Sequence, residues 1–417
     1  MSEGDRVKKV SRKVSIMDRV TDTLGIEKLK KYSFEMGSIR PPSEGGSHSL
    51  LIRVTRNCPW NRCTFCYGSP YAHAKFELRP VEDVKADIDA AKAIYDHIRK
   101  IEKKAGGLDW AWQMLSTDFL YDKGDMFELS EAELKNFHSV CNVFEWMNSG
   151  AKTAFLQDAN SLIMKTPDLV EVIRYLKETF PSLERITSYA RAKTIAKKSI
   201  DELKELRVAG LSRLHIGLET GDDELLGYVD KGVTAAEQIE GGKKAVAAGF
   251  EVSEYFMPGL GGKKFSQQHA KNTARVLNET NPTYIRSRRF VPRAKTPLYD
   301  EWKSGNFQLL SPHELLREIR LFVEELNVHS RLCFDHFINP AYKVGGDAGP
   351  QAIYDGTFAF RVKQARESIV IVPLFSQSYE GYRMPDEKER VLELIENGLK
   401  IDESQWVKTE DMVGLNL

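Results

Sequence analysis

The sequence is poor in cysteine and lacks the long apolar segments that mark secreted or membrane proteins. Five cysteines in 417 residues are too few for a disulfide-stabilised scaffold. No segment runs for about 18 apolar residues without a charge, so no transmembrane helix is indicated. The first ten residues contain no apolar core of the kind that a secretory signal carries. We therefore expect a cytoplasmic protein with reduced cysteines and no membrane association.

The sequence also lacks a charge excess. Sixty Lys and Arg residues balance 60 Asp and Glu residues, so composition gives no reason to expect binding to nucleic acid. Hydrophobic residues make up 41% and charged residues 29% of the chain, as is usual for globular proteins. The length suits about two domains, or one large α/β barrel with additions.

Three of the five cysteines stand together. Cys58, Cys63 and Cys66 form a CxxxxCxxC pattern directly after the apolar run at residues 50–54. Thiolates select zinc, copper(I) or iron–sulfur clusters. Three of them leave one position open, which a closed structural zinc site would fill with a fourth protein ligand. His73 is the nearest candidate for that ligand, so zinc remains an alternative beside an iron–sulfur cluster with an open iron.

Apolar strand patterns alternate with helical patterns through the middle of the chain. Strands are predicted near residues 50–55, 153–157, 185–190, 212–219, 250–257 and 283–290, with amphipathic helices between them. This alternation is typical of parallel strands covered by helices. We predict an α/β fold, a partial (β/α)6 TIM-like barrel with a mostly helical C-terminal extension.

The same pattern suggests three regions. Residues 1–48 are expected to be a charged leader and a linker. Residues 49–291 would form the barrel, with an insertion at 105–150 that either packs outside the barrel or acts as a lid. Residues 292–417 would form the C-terminal region.

Polar residues recur where the predicted strands end. They are Asp158 and Asn160, Arg191, Glu219, and the glycine-rich segment that begins at Met257. Because the carboxyl ends of parallel strands meet on one rim of a barrel, where such folds build their sites, we expect these residues to lie near the cysteine loop.

The cysteine loop resembles that of the radical S-adenosylmethionine (radical SAM) enzymes. Their usual pattern is CxxxCxxC with an aromatic residue before the last cysteine, the position of Phe65 here, and this sequence has one more residue in the first spacing. The segments 214–221, 230–233 and 257–262 resemble the branch of oxygen-independent coproporphyrinogen oxidase and the elongator-type proteins. The resemblance spans roughly residues 50–300.

The resemblance implies cofactors and contacts. Cys58, Cys63 and Cys66 would hold three irons of a [4Fe–4S] cluster, and S-adenosylmethionine (SAM) would chelate the fourth. Other implied roles involve eight residues: Phe65 and Tyr67 near the adenine or the cluster, Asp158 and Asn160 at the methionine ammonium, Glu219 at the ribose, Arg191 or Lys231 at the carboxylate, and Met257 in the glycine-rich segment beside the cofactor.

Each of these contacts has a plainer alternative. Phe65 and Tyr67 could be ordinary aromatic residues at the top of a barrel, and Asn160 could be a helix N-cap. Arg191 and Lys231 could form surface ion pairs. The glycines after Met257 could simply turn the chain.

The substrate is weakly encoded. Tyr284, Arg286 and Arg288 alternate on a predicted strand and therefore share a face. If that face is the barrel interior, the two guanidinium groups suggest an anionic substrate or the SAM carboxylate.

The resemblance implies an enzyme, an oxidoreductase whose specific reaction is unassigned. It would cleave SAM to a 5′-deoxyadenosyl radical for hydrogen abstraction from an unidentified substrate, a small molecule or an anion. An electron donor such as ferredoxin or flavodoxin would serve it. The alternative is a zinc-binding structural or interaction protein on a barrel scaffold.

Overall fold

The structure is a computed structural model that describes residues 26–38, 48–66, 74–108, 120–121, 125–344, 360–364 and 367–413. The chain divides into two compact units. The first comprises Met1–Val54, Leu78–Gln157 and Pro167–Ile186, and the second comprises Thr55–Glu77, Asp158–Thr166 and Thr187–Leu417. Within the described ranges, no helix is long and apolar enough to cross a membrane.

The first unit contains a short parallel sheet and several helices. Strand β1 pairs with β4 in parallel, with Leu50 opposite Ala154. Its elements are β1 (Leu50–Arg53), α1 (Val81–Ala105), α2 (Glu131–Asn148) and β4 (Thr153–Gln157). It also contains nearly all of α3 (Thr166–Thr179) and the first two residues of β5 (Arg185–Ala190). Strand β2 (Thr55–Arg56), which belongs to the second unit, and β3 (Glu77–Leu78) form a separate two-stranded ladder.

Two helices of this unit show why the sequence pattern succeeded. Five apolar residues of α1 that stand at helical spacing, namely Val84, Ile88, Ala91, Ile94 and Ile98, are all fully buried, as the predicted amphipathic helix requires. Helix α2 begins after Ser130, whose hydroxyl and the Glu133 carboxylate form a capping box, which satisfies free N–H groups of the first turn.

The second unit is built on a mostly parallel sheet of order β5-β6-β7-β8-β9-β13. Pairings β6–β7, β7–β8 and β8–β9 are parallel, and β13 pairs with β9 in the antiparallel sense. The strands are β6 (Leu211–Glu219), β7 (Glu251–Phe256), β8 (Tyr284–Ser287), β9 (Arg331–Cys333) and β13 (Tyr382–Arg383). The prediction of an α/β fold with parallel strands is confirmed.

Helices follow the parallel strands in sequence. They are α4 (Ala192–Lys197), α5 (Ile200–Ala209), α6 (Asp223–Tyr228), α7 (Ala235–Ala247), α8 (Gly262–Thr280), α9 (Pro297–Lys303), α10 (Pro312–Glu325) and α11 (Lys388–Leu399). With β1 and β4 of the first unit, strands β5 to β8 make the predicted series of six β/α repeats.

The C-terminal region contains more strand than the sequence predicted. Helices α9, α10 and α11 are present, but so are β9 and β13, together with a separate sheet of order β10-β12-β11. Its strands are β10 (Ala341–Val344), β11 (Phe360–Gln364) and β12 (Glu367–Pro373). The description of this region as mostly helical therefore omits five strands.

The main core of the second unit lies between the sheet and helices α8, α10 and α11. Phe256 on β7 and Phe322 on α10 are both fully buried, and their rings stack with centroids 4.0 Å apart. Ile319 and Val323 of α10 and Leu277 of α8 are also completely buried. Contacts from α10 onto β7 therefore tie the C-terminal region to the strands that end at the candidate site.

We predict that Phe322→Ala lowers the free energy of unfolding of the second unit by about 3–5 kcal/mol, because it removes a buried ring and leaves a cavity. Val208→Ala on α5 is the control, since Val208 is 82% exposed and exposed substitutions usually stay within about 0.5 kcal/mol. Urea unfolding followed by circular dichroism measures both variants. Equal stability of the two would contradict this account of the core.

Candidate functional site

The cysteine loop follows β2 and is held by backbone hydrogen bonds to two helix termini. The Cys66 N–H donates to the Cys63 carbonyl at 3.0 Å, which closes a tight turn. The Thr64 N–H donates to the carbonyl of Val229, just after α6, at 3.0 Å. The Thr64 carbonyl accepts from the N–H of Leu298 in α9 at 3.2 Å. Because both faces of the turn are bonded, the loop has a fixed position in the second unit.

Asp158 fixes the start of this loop. Its Oδ2 accepts the N–H of Asn57 at 3.1 Å, and its own N–H donates to the Thr55 hydroxyl at 3.3 Å. Asn57 has a positive φ of 64°, a conformation that asparagine tolerates better than most residues. The carboxylate predicted to meet the SAM ammonium thus positions the residue before Cys58.

Asn160 is fully buried and uses both ends of its amide. Its Oδ1 accepts the Arg191 N–H at 3.1 Å, and its Nδ2 donates to the Thr194 hydroxyl at 2.8 Å. Asn160 stands at the N-cap position of the short 3₁₀ helix that follows it, but its side chain makes no capping bond there. Asn160 instead holds the first turn of α4 and places Arg191.

Trp60, inside the cysteine loop, forms a platform that the sequence analysis missed. Its Nε1–H donates to the Asp230 carbonyl at 2.6 Å. The guanidinium groups of Arg62 and Arg191 lie 5.0 and 5.2 Å from its ring centroid, within cation–π range. Gly232 lies against the ring, where a Cβ would collide with it. Two features of the sequence could have indicated this contact: a tryptophan between two cysteines, and the Asp-Lys-Gly segment at residues 230–232.

Lys231 and Glu219 form a half-buried ion pair beside the loop. The Lys231 Nζ lies 2.9 Å from Glu219 Oε1 and 5.8 Å from the centroid of the Phe65 ring. Glu219 has a φ of +61° at the register shift between β6 and β7, a backbone strain that often marks functional sites. The Lys231 carbonyl accepts from the Arg191 guanidinium at 2.6 Å. The structure therefore gathers the three predicted residues Arg191, Glu219 and Lys231.

Phe65 packs in an apolar cluster with residues of α6, α8 and α9, and Met257 and the Cys63 and Cys66 side chains lie against that cluster. Phe65 is 9% exposed, so most of its ring serves as an anchor for the loop. Tyr67 and His73 lie outside the described residues. The predicted contact of Phe65 with a cofactor stays a prediction.

The segment after Met257 is fixed from two sides. The Met257 N–H donates to the Glu219 carbonyl at 3.1 Å, and the Gly259 N–H donates to Glu318 Oε1 of α10 at 2.7 Å. Gly259 has a φ of +83°, which a side chain would strain. The fully buried His269 contacts the Met257 carbonyl through Nε2 at 3.1 Å. Sequence reasoning missed Glu318 and His269, because neither belongs to a recognisable pattern.

Burial and crowding raise the pKa of the loop thiols. Burial raises the pKa of Cys63 to about 11, opposed by the charges of Lys231 and Arg191. Burial, followed by the neighbouring Cys63, raises the pKa of Cys66 to about 12, and Lys231 opposes this. Thiolate ligands in this turn therefore need a compensating positive charge, which an iron–sulfur core provides.

The donor set of the loop fits such a cluster. Three thiols from one fixed turn can each bind a different iron of the cluster. Among the residues that the structure describes, no group of three or more His, Cys, Asp and Glu side chains is arranged to hold a single metal ion. Cys141 and the buried Cys333 are also free thiols, and neither belongs to this loop.

Arg286 and Arg288 lie on and just after β8. Arg286 is 1% exposed, and its Nη1 forms an ion pair with Asp335. The Arg288 N–H donates to the Phe256 carbonyl at 2.8 Å. The two arginines thus reach the same end of the sheet in different environments.

The Lys231–Glu219 pair yields a prediction about stability. Lys231→Met leaves a half-buried carboxylate without its cation and should destabilise the second unit by about 3 kcal/mol. The double variant Lys231→Met/Glu219→Gln should recover most of that loss, because neither charge remains unpaired. Denaturant unfolding of the single and double variants gives the coupling energy. Additive effects would show that the pair is not coupled.

Glu318 yields a prediction about pH. Burial raises the pKa of Glu318 from its usual value of 4.5 to about 7. Between these two pH values the folded protein therefore binds more protons than the unfolded chain. Stability from this group is therefore lost as the pH rises through the range from about 4.5 to 7. Glu318→Gln should flatten the dependence in that window, and melting temperatures from pH 5 to 8 measure it. An unchanged slope would contradict the assignment.

Comparison with known proteins supports an assignment to a family. The sequence model of the radical SAM superfamily matches residues 145–273, which include every predicted contact from Asp158 to Met257. A comparison with curated proteins found no match.

Solved structures with similarity to the chain include three enzymes of low sequence identity. The archaeal Methanocaldococcus infernus Elp3 with an N-terminal deletion shares 15% identity over 48% of this chain and 52% of its own, with a TM-score of 0.39. Methylornithine synthase (PylB) shares 16% over 75% and 70%, with a TM-score of 0.38. Coproporphyrinogen III oxidase (HemN) from Escherichia coli shares 17% over 42% and 40%, with a TM-score of 0.34.

The chain thus spans about half the length of the archaeal Elp3 that it matches. Placement within one branch of the superfamily stays a prediction. The resemblance to the superfamily itself is confirmed by the matched segment, and the chain carries, over residues 145–273, the domain of the radical SAM enzymes, whose cofactors are a [4Fe–4S] cluster and S-adenosylmethionine.

Proposed function

We propose that the protein is a radical SAM oxidoreductase that abstracts a hydrogen atom from a small-molecule substrate, with Cys58, Cys63 and Cys66 as the cluster ligands. The observation that carries this proposal is the fixed loop of three thiols against the end of α6, in the unit whose strands β6 and β7 lie within the residues that match the superfamily, 145–273. Cys58, Cys63 and Cys66 would hold the cluster, which when reduced would supply one electron to the sulfonium of SAM, so that a C–S bond breaks to give methionine and a 5′-deoxyadenosyl radical.

The residues around the loop would bind the charged groups of SAM. The charges of Lys231 and Arg191 act to lower the pKa of Cys63, and these two cations suit the carboxylate of the methionine moiety. Glu219 suits the ribose hydroxyls, since a carboxylate only accepts hydrogen bonds. Binding in this arrangement would exchange part of the Lys231–Glu219 contact for contacts with the cofactor.

Asp158 and Asn160 would act mainly by position. Asp158 holds the N–H of Asn57 before Cys58, and Asn160 holds the N–H of Arg191. Either role keeps a cofactor contact in place, and a direct contact with the SAM ammonium remains part of the proposal. Phe65 and Met257 would exclude water, because both contribute to the apolar wall beside Cys63 and Cys66.

The electron donor and the cellular location are part of the same proposal. A one-electron reduction needs a low-potential donor, and a ferredoxin or flavodoxin has the required chemistry. A cytoplasmic location suits both the reduced thiols and such a donor. The alternative is a zinc-binding structural or interaction protein. The same cysteine loop would then hold zinc, and no 5′-deoxyadenosine would form.

We predict that anaerobically reconstituted wild-type protein binds about four irons per chain and forms 5′-deoxyadenosine with dithionite and SAM. Cys63→Ala should lose the nucleoside and most of the iron. Cys141→Ala is the matched control and should retain both, because Cys141 lies on α2, outside the loop. Iron analysis, absorption spectra and chromatography of the nucleoside measure the outcome. Tightly bound zinc without nucleoside in the wild type would favour the alternative function.

A further inference from the structure

Two neighbouring strands bring a basic cluster to the end of the sheet. Strands β8 and β9 are parallel, with Arg286 opposite Cys333, so the residues after each strand emerge side by side. Arg288 follows β8, and Asp335 and His336 follow β9. Arg293 lies between Phe290, whose N–H donates to the Pro258 carbonyl, and the segment that contacts the cysteine loop.

Arg286 is already neutralised. Besides its ion pair with Asp335, its Nε donates to the Ser253 hydroxyl at 3.2 Å. Its guanidinium lies 3.8 Å from the centroid of the Tyr379 ring. Since a buried guanidinium with a carboxylate partner has little charge left to attract a ligand, Arg286 is better suited to support the site than to bind in it.

Arg288 differs from Arg286. Among the described residues, its half-buried guanidinium makes no hydrogen bond, ion pair or ring contact, although its backbone N–H is bonded to Phe256. The five N–H donors of a guanidinium favour planar acceptors such as carboxylates and phosphates. Because no described residue supplies an acceptor for this cation at the end of a strand, we treat it as available to a ligand.

A second guanidinium, that of Arg293, lies within electrostatic range of Arg288. Burial and the charge of Arg288 lower the pKa of Arg293, and Cys66 opposes them. Arg293 thus lies within electrostatic range of both Arg288 and the cysteine loop. Two like charges that face each other are stabilised when an anion lies between them.

The other groups around Arg288 leave the cluster positive. His336 is neutral, because burial together with Arg288 and Arg293 lowers its pKa to about 3. Its Nδ1 accepts the Ile338 N–H at 3.4 Å, so Nε2 carries the proton and can donate. Asp335 is the acidic group that interacts with Arg288, and Arg286 already engages it. Tyr255, whose enclosed hydroxyl has no partner, adds another donor nearby.

We propose that Arg288 and Arg293, with the Nε2–H of His336, bind an anionic group of the substrate, a carboxylate or a phosphate, beside the cysteine loop. This inference rests on the proposed function for calling the ligand a substrate. It places the anion near Arg293, which is within electrostatic range of Cys66, and leaves Lys231 and Arg191 to the predicted SAM carboxylate. It also assigns direct binding to Arg288 and a supporting role to Arg286.

The test measures anion binding to the reconstituted protein by calorimetry, without reductant. Inorganic phosphate and succinate, each at constant ionic strength set with chloride, are the two probes. We expect one of them to bind, with affinity reduced about tenfold or more in Arg288→Ala, as loss of a charge-assisted contact requires. The affinity of Arg288→Lys for the anion should lie between those of the wild type and Arg288→Ala. Arg275→Ala on α8 is the control, because Arg275 is an exposed arginine, and it should bind the anion as the wild type does.

Three outcomes overturn the proposal. They are failure of the wild type to bind either anion, equal affinity in Arg288→Ala and wild type, and a loss of SAM affinity in Arg288→Ala that leaves anion binding intact. Circular dichroism establishes that each variant is folded, and Arg288→Gln provides a second uncharged variant. Because no radical chemistry is involved, anion binding that depends on Arg288 would stand even if no 5′-deoxyadenosine formed.

Discussion

Thiolate charge in a buried turn is the constraint on which the second unit depends. Cys63 and Cys66 lie against apolar side chains, and burial together with Cys63 makes ionisation of Cys66 harder. A fold that needs them as ligands must therefore bring positive charge to the turn. Lys231 and Arg191 do so from two different loops, and Glu219 keeps Lys231 in place through its ion pair. This arrangement explains why strand ends that are distant in sequence converge on one short loop.

The C-terminal region contributes to the same site through its backbone contacts. Leu298 in α9 bonds Thr64 of the cysteine loop, and Glu318 in α10 bonds Gly259. Arg289 after β8 is buried and donates to Thr409 and to the Val407 carbonyl. Residues after about 290 therefore do more than cover the sheet, since they hold two of the loops that surround the proposed cofactor site.

Sequence reasoning succeeded where a long local pattern determines structure. The apolar stripe of α1 lies within a single helix, and the sequence predicted an amphipathic helix there. The capping box of α2 is equally local, but it was not predicted. Helix α4 has six residues and β9 has three, too few to show a period, so their formation depends on packing. Strands β10 and β12 pair across about 30 residues of chain, and such a partner cannot be read from either strand alone.

The site shows the same division. The rule that polar residues at strand ends form the site brought Asp158, Asn160 and Glu219 to the right place. It could not give their hydrogen-bond partners, because those partners are distant in sequence. Asn160 bonds to Thr194 in α4, and Asp158 bonds to Asn57 at the start of the cysteine loop.

Arg286 and Arg288 make the point most clearly, since Arg286 lies on β8 and Arg288 follows just after it. Their difference arises from Asp335, 49 residues beyond Arg286, which pairs with one and leaves the other without a bonded carboxylate. A pattern identifies where charge is presented, whereas the partner brought by the fold decides whether that charge supports the protein or binds a ligand.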